Sequence, residues 1–142
     1  MRCEEIMKKS PESVTVKDDC KTAAIRMRDS NIGFLPVCDD DGRVVGTVTD
    51  RDLAIRLVAS NMPASTSIGD VVTREVVSCR PGDDVREAER RMAREQKSRM
   101  LVVDETGKLL GVFSLSDVAQ FESEPSRTAR TLREVSEREV RS

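Results

Sequence analysis

The chain reads as an α+β (mixed α/β) protein of two β-α-β-β-α repeats, packed through their sheets with pseudo-two-fold symmetry. Three observations predict this. The stretch Gly46-Thr47-Val48-Thr49-Asp50-Arg51-Asp52-Leu53 returns as Gly111-Val112-Phe113-Ser114-Leu115-Ser116-Asp117-Val118. These copies stand 65 residues apart (111 − 46), and from Cys20 onward the two halves align at that offset without gaps, as in Ala23/Ala88, Met27/Met92, Asp39/Asp104 and Gly42/Gly107. Each half also runs through the same order of β-branched stretches and helical periods, the signature of an internal repeat. One repeat of about 50–60 residues is marginal as an independent fold, and two that share their burial are not.

Taken in order, residues 1–12 are a polar lead-in anchored by Ile6 and Met7. Ser13-Val14-Thr15-Val16 predicts a short strand, and Asp18-Asp19 starts a helix with Cys20, Ala23, Ala24 and Met27 at helical spacing. Phe34 to Cys38 predicts a strand that Pro36 confines to an edge or to its own first residues. Asp39-Asp40-Asp41-Gly42 is hairpin-turn chemistry, because an Asp-Gly step tolerates positive φ. Arg43 to Val48 is the return strand, and Leu53, Ala54, Leu57 and Val58 mark the second helix. The programme then repeats: a strand near Val76–Cys79, a helix from Asp83 through Met92, strands at Met100–Val103 and Leu109–Phe113, and a helix to about Phe121. Before Cys20 the register between halves is open by a residue or two. The expected organisation is a first repeat with its lead-in over 1–61, a linker over 62–69, a second repeat over 70–121 and a charged tail over 122–142. The tail's Pro125, Ala129, Leu132 and Val135 allow a helix with a thin apolar stripe. Its alternating Arg127, Arg130, Arg133, Arg138 and Arg141 with Glu134, Glu137 and Glu139 suit either a salt-bridged solvated helix or a partner-docking one.

Composition narrows the function. Charged residues make up 35% of the chain, which carries a net charge of −2 and a pI of about 5.4. There is no basic footprint and no Trp or Tyr for base stacking, so nucleic acid is not expected as a partner. No run of about 18 apolar residues is present, nor a signal-peptide core behind Met1, which predicts a cytoplasmic protein without a membrane partner. Cys3, Cys20, Cys38 and Cys79 lack C-x-x-C pairing and there is no histidine, so no zinc site is expected. Cys20, Cys38 and Cys79 read instead as small buried apolar residues in a reduced compartment. Missing histidine also removes the commonest general base. No phosphate-cradling glycine loop is present, and a catalytic role is not expected.

The repeated motif has two readings. Thr49-x-x-Asp52 and Ser114-x-x-Asp117 are capping boxes in form, in which the hydroxyl and the carboxylate each take a backbone N–H. A carboxylate is also a fitting partner for two vicinal ribose hydroxyls. The tandem units with this Gly-apolar-apolar-Thr/Ser-x-x-Asp-apolar motif resemble a CBS-domain pair, the Bateman module, over about residues 5–121. That resemblance implies a non-catalytic regulatory module binding adenosine-containing ligands (AMP, ADP, ATP, NAD or S-adenosylmethionine) in clefts between the repeats. It further implies energy sensing, a homodimer and an unidentified protein target in trans. One cleft would carry Thr49, Arg51 and Asp52, faced by Lys97, Ser98 and Arg99 and by Val77 and Cys79. The other would carry Ser114, Ser116 and Asp117, faced by Val14, Thr15, Gly33 and Phe34. Arg99 is either a phosphate clasp or a solvated arginine at a strand start. Phe34, at the equivalent position, is either a cleft wall or core. The alternative to ligand binding is a scaffold with empty clefts.

Overall fold

The computed structural model describes residues 1–121 and 125–141, without the side chains of 125, 126 and 138–141. The tail expectations at 122–124 and 142, and the side chains of Arg138, Glu139 and Arg141, lie outside the described residues. The chain forms two compact units, one of Glu12–Val76 and one of Met1–Pro11 with the described residues from Val77 on.

The first unit is built on strands β2 (Val14–Thr15), β3 (Phe34–Cys38) and β4 (Val44–Thr49), with helix α2 (Cys20–Ser30) between β2 and β3. Its sheet order is β2-β3-β4, with β2 parallel and β4 antiparallel to β3. β3 is therefore central, not an edge. Pro36 is tolerated there because β2 reaches only Val37 and Cys38, so the missing N–H faces no ladder partner on that side. After β4 the chain enters a helical turn, α3 (Asp50–Asp52), which continues as a π-helix over Leu53–Val58. Only Leu53 and Leu57 of its expected apolar stripe turn inward; Ala54 and Val58 are exposed, as is Ala24 of α2. A one-residue-deep apolar face suffices because Val14, Ala23, Leu35, Val37, Val48 and Ile68 complete the core.

The second unit repeats this plan with β5 (Ser78–Cys79), α4 (Val85–Glu95), β6 (Arg99–Val103), β7 (Leu109–Ser114) and α5 (Leu115–Phe121). The offset of 65 holds in detail. Asp19 and Asp84 cap α2 and α4 through the N–H of Thr22 and Arg86, and Asn31 and Gln96 end them in the left-handed region. Both hairpins shift register at one place, Val37/Cys38 and Val102/Val103. Both turns rest on one aspartate. Asp39 Oδ1 accepts from the N–H of Asp41 and Arg43, Asp104 Oδ1 from that of Thr106 and Lys108, and Gly42 and Gly107 take positive φ.

The lead-in expected with the first repeat packs with the second unit. Helix α1 (Cys3–Ile6) places Cys3 and Ile6 in that unit's core, and β1 (Lys8–Lys9) pairs antiparallel with β7, Lys8 opposite Val112. Residues 62–69, expected as a linker, continue into a 3₁₀ turn (Ile68–Asp70) with Ile68 fully buried in the first unit. Thr73 then exchanges both backbone hydrogen bonds with Thr47, each 2.9 Å. Thr73 and Lys8 are themselves 65 residues apart, so the repeat register extends to the lead-in. These approaches require Gly46 and Gly111. A Cβ on Gly46 would lie 2.5 Å from the Thr73 carbonyl oxygen, and one on Gly111 2.8 Å from that of Lys8.

Helix α6 (Pro125–Arg141) is neither loose nor fully solvated: it packs on α4 and α5. Leu132 and Ala129 of the expected stripe are exposed, while Thr128, Thr131 and Val135 are buried. The Thr131 hydroxyl donates to Glu89 Oε1 at 2.9 Å, and Gln96 Nε2 donates to the Glu134 carbonyl. A threonine face binds this helix, which an apolar search overlooks.

Two expectations follow. Gly46→Ala should destabilise the protein by about 1–3 kcal/mol in urea unfolding, and more than Gly111→Ala. Backbone and Val72 oppose the new methyl at Gly46, whereas at Gly111 the flexible Met7 thioether takes part of the overlap. The second concerns pH. The Thr106 hydroxyl, with the Lys108 N–H, holds the Asp104 carboxyl below its usual range, and the Thr22 N–H does so for Asp19. A lowered folded-state value contributes stability above the unfolded carboxylate range and loses it as pH falls through the folded values. Stability measured by chemical unfolding should therefore drop below about pH 4, with a shallower slope in Asp104→Asn.

Candidate functional site

The repeated motif forms the junction at which β4 and β7 end and a helix begins. At the first junction Thr49 is extended and its Oγ1 accepts from the Asp52 N–H at 3.1 Å, while the Thr49 N–H donates to Asp52 Oδ2 at 2.9 Å. The capping box is thus complete. The Asp50 N–H donates to the Gly33 carbonyl, which ties the turn to the start of β3. Asp52 Oδ1 is also engaged: the Thr73 hydroxyl lies at 3.4 Å and Arg56 Nε at 3.9 Å. Arg56 Nη1 donates to the carbonyls of Val71 and Val72, at 3.0 and 3.3 Å, so one guanidinium spans the carboxylate and the 68–76 segment.

At the second junction Asp117 Oδ2 accepts from the Ser114 N–H at 2.8 Å and lies 3.1 Å from Ser114 Oγ, which accepts from the Asp117 N–H. The Leu115 N–H donates to the Ser98 carbonyl, the counterpart of the Asp50–Gly33 bond. Here the resemblance ends. Asp117 Oδ1 has no partner among the described residues, because Phe121 and Lys8 stand where Arg56 and Thr73 stand in the first unit.

The remaining predicted residues divide by unit. Thr49, Arg51, Asp52, Val14, Thr15 and Phe34 belong to the first. Val14 is buried, the Thr15 N–H donates to Asp18, and half-buried Phe34 is the cross-strand partner of Thr49. Val77, Cys79, Lys97, Arg99, Ser114, Ser116 and Asp117 belong to the second. The Val77 carbonyl accepts from the Leu101 N–H, Lys97 closes α4 through its N–H, and exposed Arg99 is the cross-strand partner of Ser114. Residues directly opposite in an antiparallel pair project on one face, so Arg99 accompanies Ser114 and Phe34 accompanies Thr49, each beside the motif of its own unit, whereas the sequence reading sets each against the motif of the other repeat. Cys79 is a buried thiol; its hydrogen bond with Cys3 and its burial push it up, away from thiolate. Cys20 and Cys38 are likewise raised by burial, and all four cysteines are free. Among the described residues no three His, Cys, Asp or Glu side chains are grouped to hold a metal ion, and no helix is long and apolar enough to cross a membrane.

Sequence reasoning missed Thr73, Arg56 and Lys8. The repeat offset, carried back past Cys20, pairs Lys8 with Thr73 and finds two of them.

With that geometry in hand, comparison with known proteins identifies the family. The CBS domain matches residues 3–59 and 68–124, two copies again 65 residues apart. The chain belongs to the CBS-domain family and is a tandem CBS pair. It is 36% identical over 137 residues to the uncharacterised protein YlbB of Bacillus subtilis, covering 96% of this chain and 92% of that one. The crystal structure of Hypoxic Response Protein I, with two coordinated zinc ions, is similar at a TM-score of 0.78 and 28% identity over 86% of this chain and 99% of that one. The CBS pair of protein MJ0100, crystallised with 5′-methylthioadenosine and S-adenosylmethionine, is similar at 0.75 and 25% identity, covering 85% and 94%.

Thr49→Ala and Ser114→Ala should each cost about 1 kcal/mol in chemical unfolding, the usual loss of an N-cap side chain. A loss near zero at either would mean that the drawn cap bonds carry no stability.

Proposed function

We propose that this CBS pair is a non-catalytic regulatory module that binds an adenosine-containing ligand and passes its occupancy to a protein partner in trans. One observation carries the reading. Each motif aspartate spends one carboxylate oxygen on the helix cap, so the side chain is held rigidly, and in Asp117 the second oxygen keeps its acceptor capacity. A fixed, partly exposed carboxylate suits the two hydroxyl donors of a ribose, since its geometry is set before the ligand arrives. The similarity to MJ0100, whose crystallised ligands are both adenosine compounds, supports the same class. In this reading Asp52 and Asp117 accept from ribose hydroxyls, and Thr49, Ser114 and Ser116 contact ribose or phosphate. Arg51, Lys97 and Arg99 answer phosphate charge, while Val14, Thr15, Phe34, Val77 and Cys79 contribute walls. Cytoplasmic location and a homodimer accompany the proposal. The ligand acts only so far as it binds one arrangement of the chain better than another.

The closed capping boxes favour a second reading, a scaffold in which both aspartates are caps and nothing more. Thermal shift separates the two. AMP, ADP, ATP, NAD and S-adenosylmethionine are tested on wild type, Asp52→Asn and Asp117→Asn. An asparagine keeps a carbonyl oxygen for the cap and presents an amide donor where the ribose needs an acceptor. A ligand of the folded state raises the melting temperature with concentration, by the equivalent of about 2.7 kcal/mol at a hundred times its dissociation constant. The expected result is such a rise, lost with an asparagine substitution; no rise with any of the five leaves the scaffold. Arg99→Ala should reduce the response to ATP more than the response to AMP.

A further inference from the structure

The two motif aspartates share one backbone cap and differ in everything around it. Asp52 Oδ1 meets the Thr73 hydroxyl and the Arg56 guanidinium, and Arg56 is itself fixed by the Val71 and Val72 carbonyls. Asp117 Oδ1 meets no described partner, and Phe121, in the place of Arg56, is 50% exposed. A ribose hydroxyl approaching Asp52 must displace a hydroxyl and a cation, whereas at Asp117 it displaces water. Charge follows the same division. The unit of Asp117 carries Lys8, Lys97 and Arg99 where the other has Thr73, Ile32 and Phe34, and it has Leu115 where the other has Asp50. Against these four changes, the first unit alone has cations at Arg51 and Arg56, where the unit of Asp117 has Ser116 and Phe121, so the balance is two charges more positive there (4 − 2), which favours an anionic ligand.

We infer that Asp117 is the open ribose acceptor of this chain and that Asp52 is latched by Arg56 and Thr73, so that an adenosine ligand fills the Asp117 site first. This rests on the adenosine reading above and adds to it which site binds and which residues withhold the other.

The test is calorimetric titration of the full chain with AMP and with S-adenosylmethionine. Asp117→Asn should weaken the tightest site by about tenfold or more, the scale of a lost hydrogen bond to a charged group. Asp52→Asn should change it less than about threefold. Arg56→Gln added to Asp117→Asn should recover about threefold at the remaining site, the size of one exposed ion pair; a merely structural arginine would give no recovery. Equal losses, or a larger loss with Asp52→Asn, overturn the inference. In parallel, Asp52→Asn and Arg56→Gln are combined in an unfolding cycle, where non-additivity supports the latch and strict additivity overturns it. Absence of binding by every variant, wild type included, is failure of the adenosine reading, and the unfolding cycle then decides the latch alone.

Discussion

Close approach of backbone to backbone at Gly46 and Gly111 is the constraint on which the rest depends. A side chain at either position would occupy the space of a carbonyl oxygen from another segment. Without one, Thr73 can bond to Thr47, and Lys8 to Val112. These contacts decide which residues make a unit. The segment that opens each sequence repeat closes the sheet of the other half's unit, so repeats and structural units are offset by a lead segment. The same contact sets the chemistry one turn later, because pairing Thr73 with Thr47 is what carries the Thr73 hydroxyl to Asp52.

In the proposed reading the cap and the site are one object. A carboxylate has two oxygens, and a box of this kind consumes one of them. Held by its own helix start, the aspartate loses side-chain freedom during folding rather than during binding. That shifts an entropic cost away from the ligand, which is how a fixed acceptor gains over a flexible one. Capping and recognition are therefore not rivals at Asp117. At Asp52 they are closer to rivalry, since the second oxygen is already engaged from within the unit.

Local chemistry made much of this legible beforehand. Asp-Gly turns located both hairpins, since few residues other than glycine accept the positive φ of Gly42 and Gly107. Acidic start signals and helical spacing located α2 and α4, and the repeated Thr/Ser-x-x-Asp motif located both capping boxes. What escaped was non-local or too short to have a period. A two-residue strand such as β1 or β5 shows no alternation, and its pairing lies in a distant partner. Pro36 suggested an edge because the rule concerns a missing hydrogen bond, while the two-residue length of β2 leaves that bond unneeded. In α6 the inward face is Thr128, Thr131 and Val135, so the apolar stripe found Val135 but also took in the exposed Ala129 and Leu132 and passed over both threonines. Thr73 and Arg56 were invisible for another reason: their roles come from meeting Asp52 in space.

A repeat offers an internal control that a single domain does not. The hydrogen bonds of the two turns match, Asp50 to Gly33 with Leu115 to Ser98 and Thr49–Asp52 with Ser114–Asp117, although the first turn continues as a π-helix and the second as an α-helix. Folding demands on the turn residues are therefore alike, whereas Arg56 and Phe121 lie where the two helices differ. Six side-chain differences between the units, at 8/73, 32/97, 34/99, 50/115, 51/116 and 56/121, fall in the repeated motif and the helix after it, at the start of the strand opposite, or in the lead segment. Four of them make the unit of Asp117 more positive, whereas at 51/116 and 56/121 the first unit alone holds an arginine, and Arg56 is spent on Asp52 and two carbonyls. Under the proposed reading, that imbalance of two charges (4 − 2) is what an anionic ligand at Asp117 would meet.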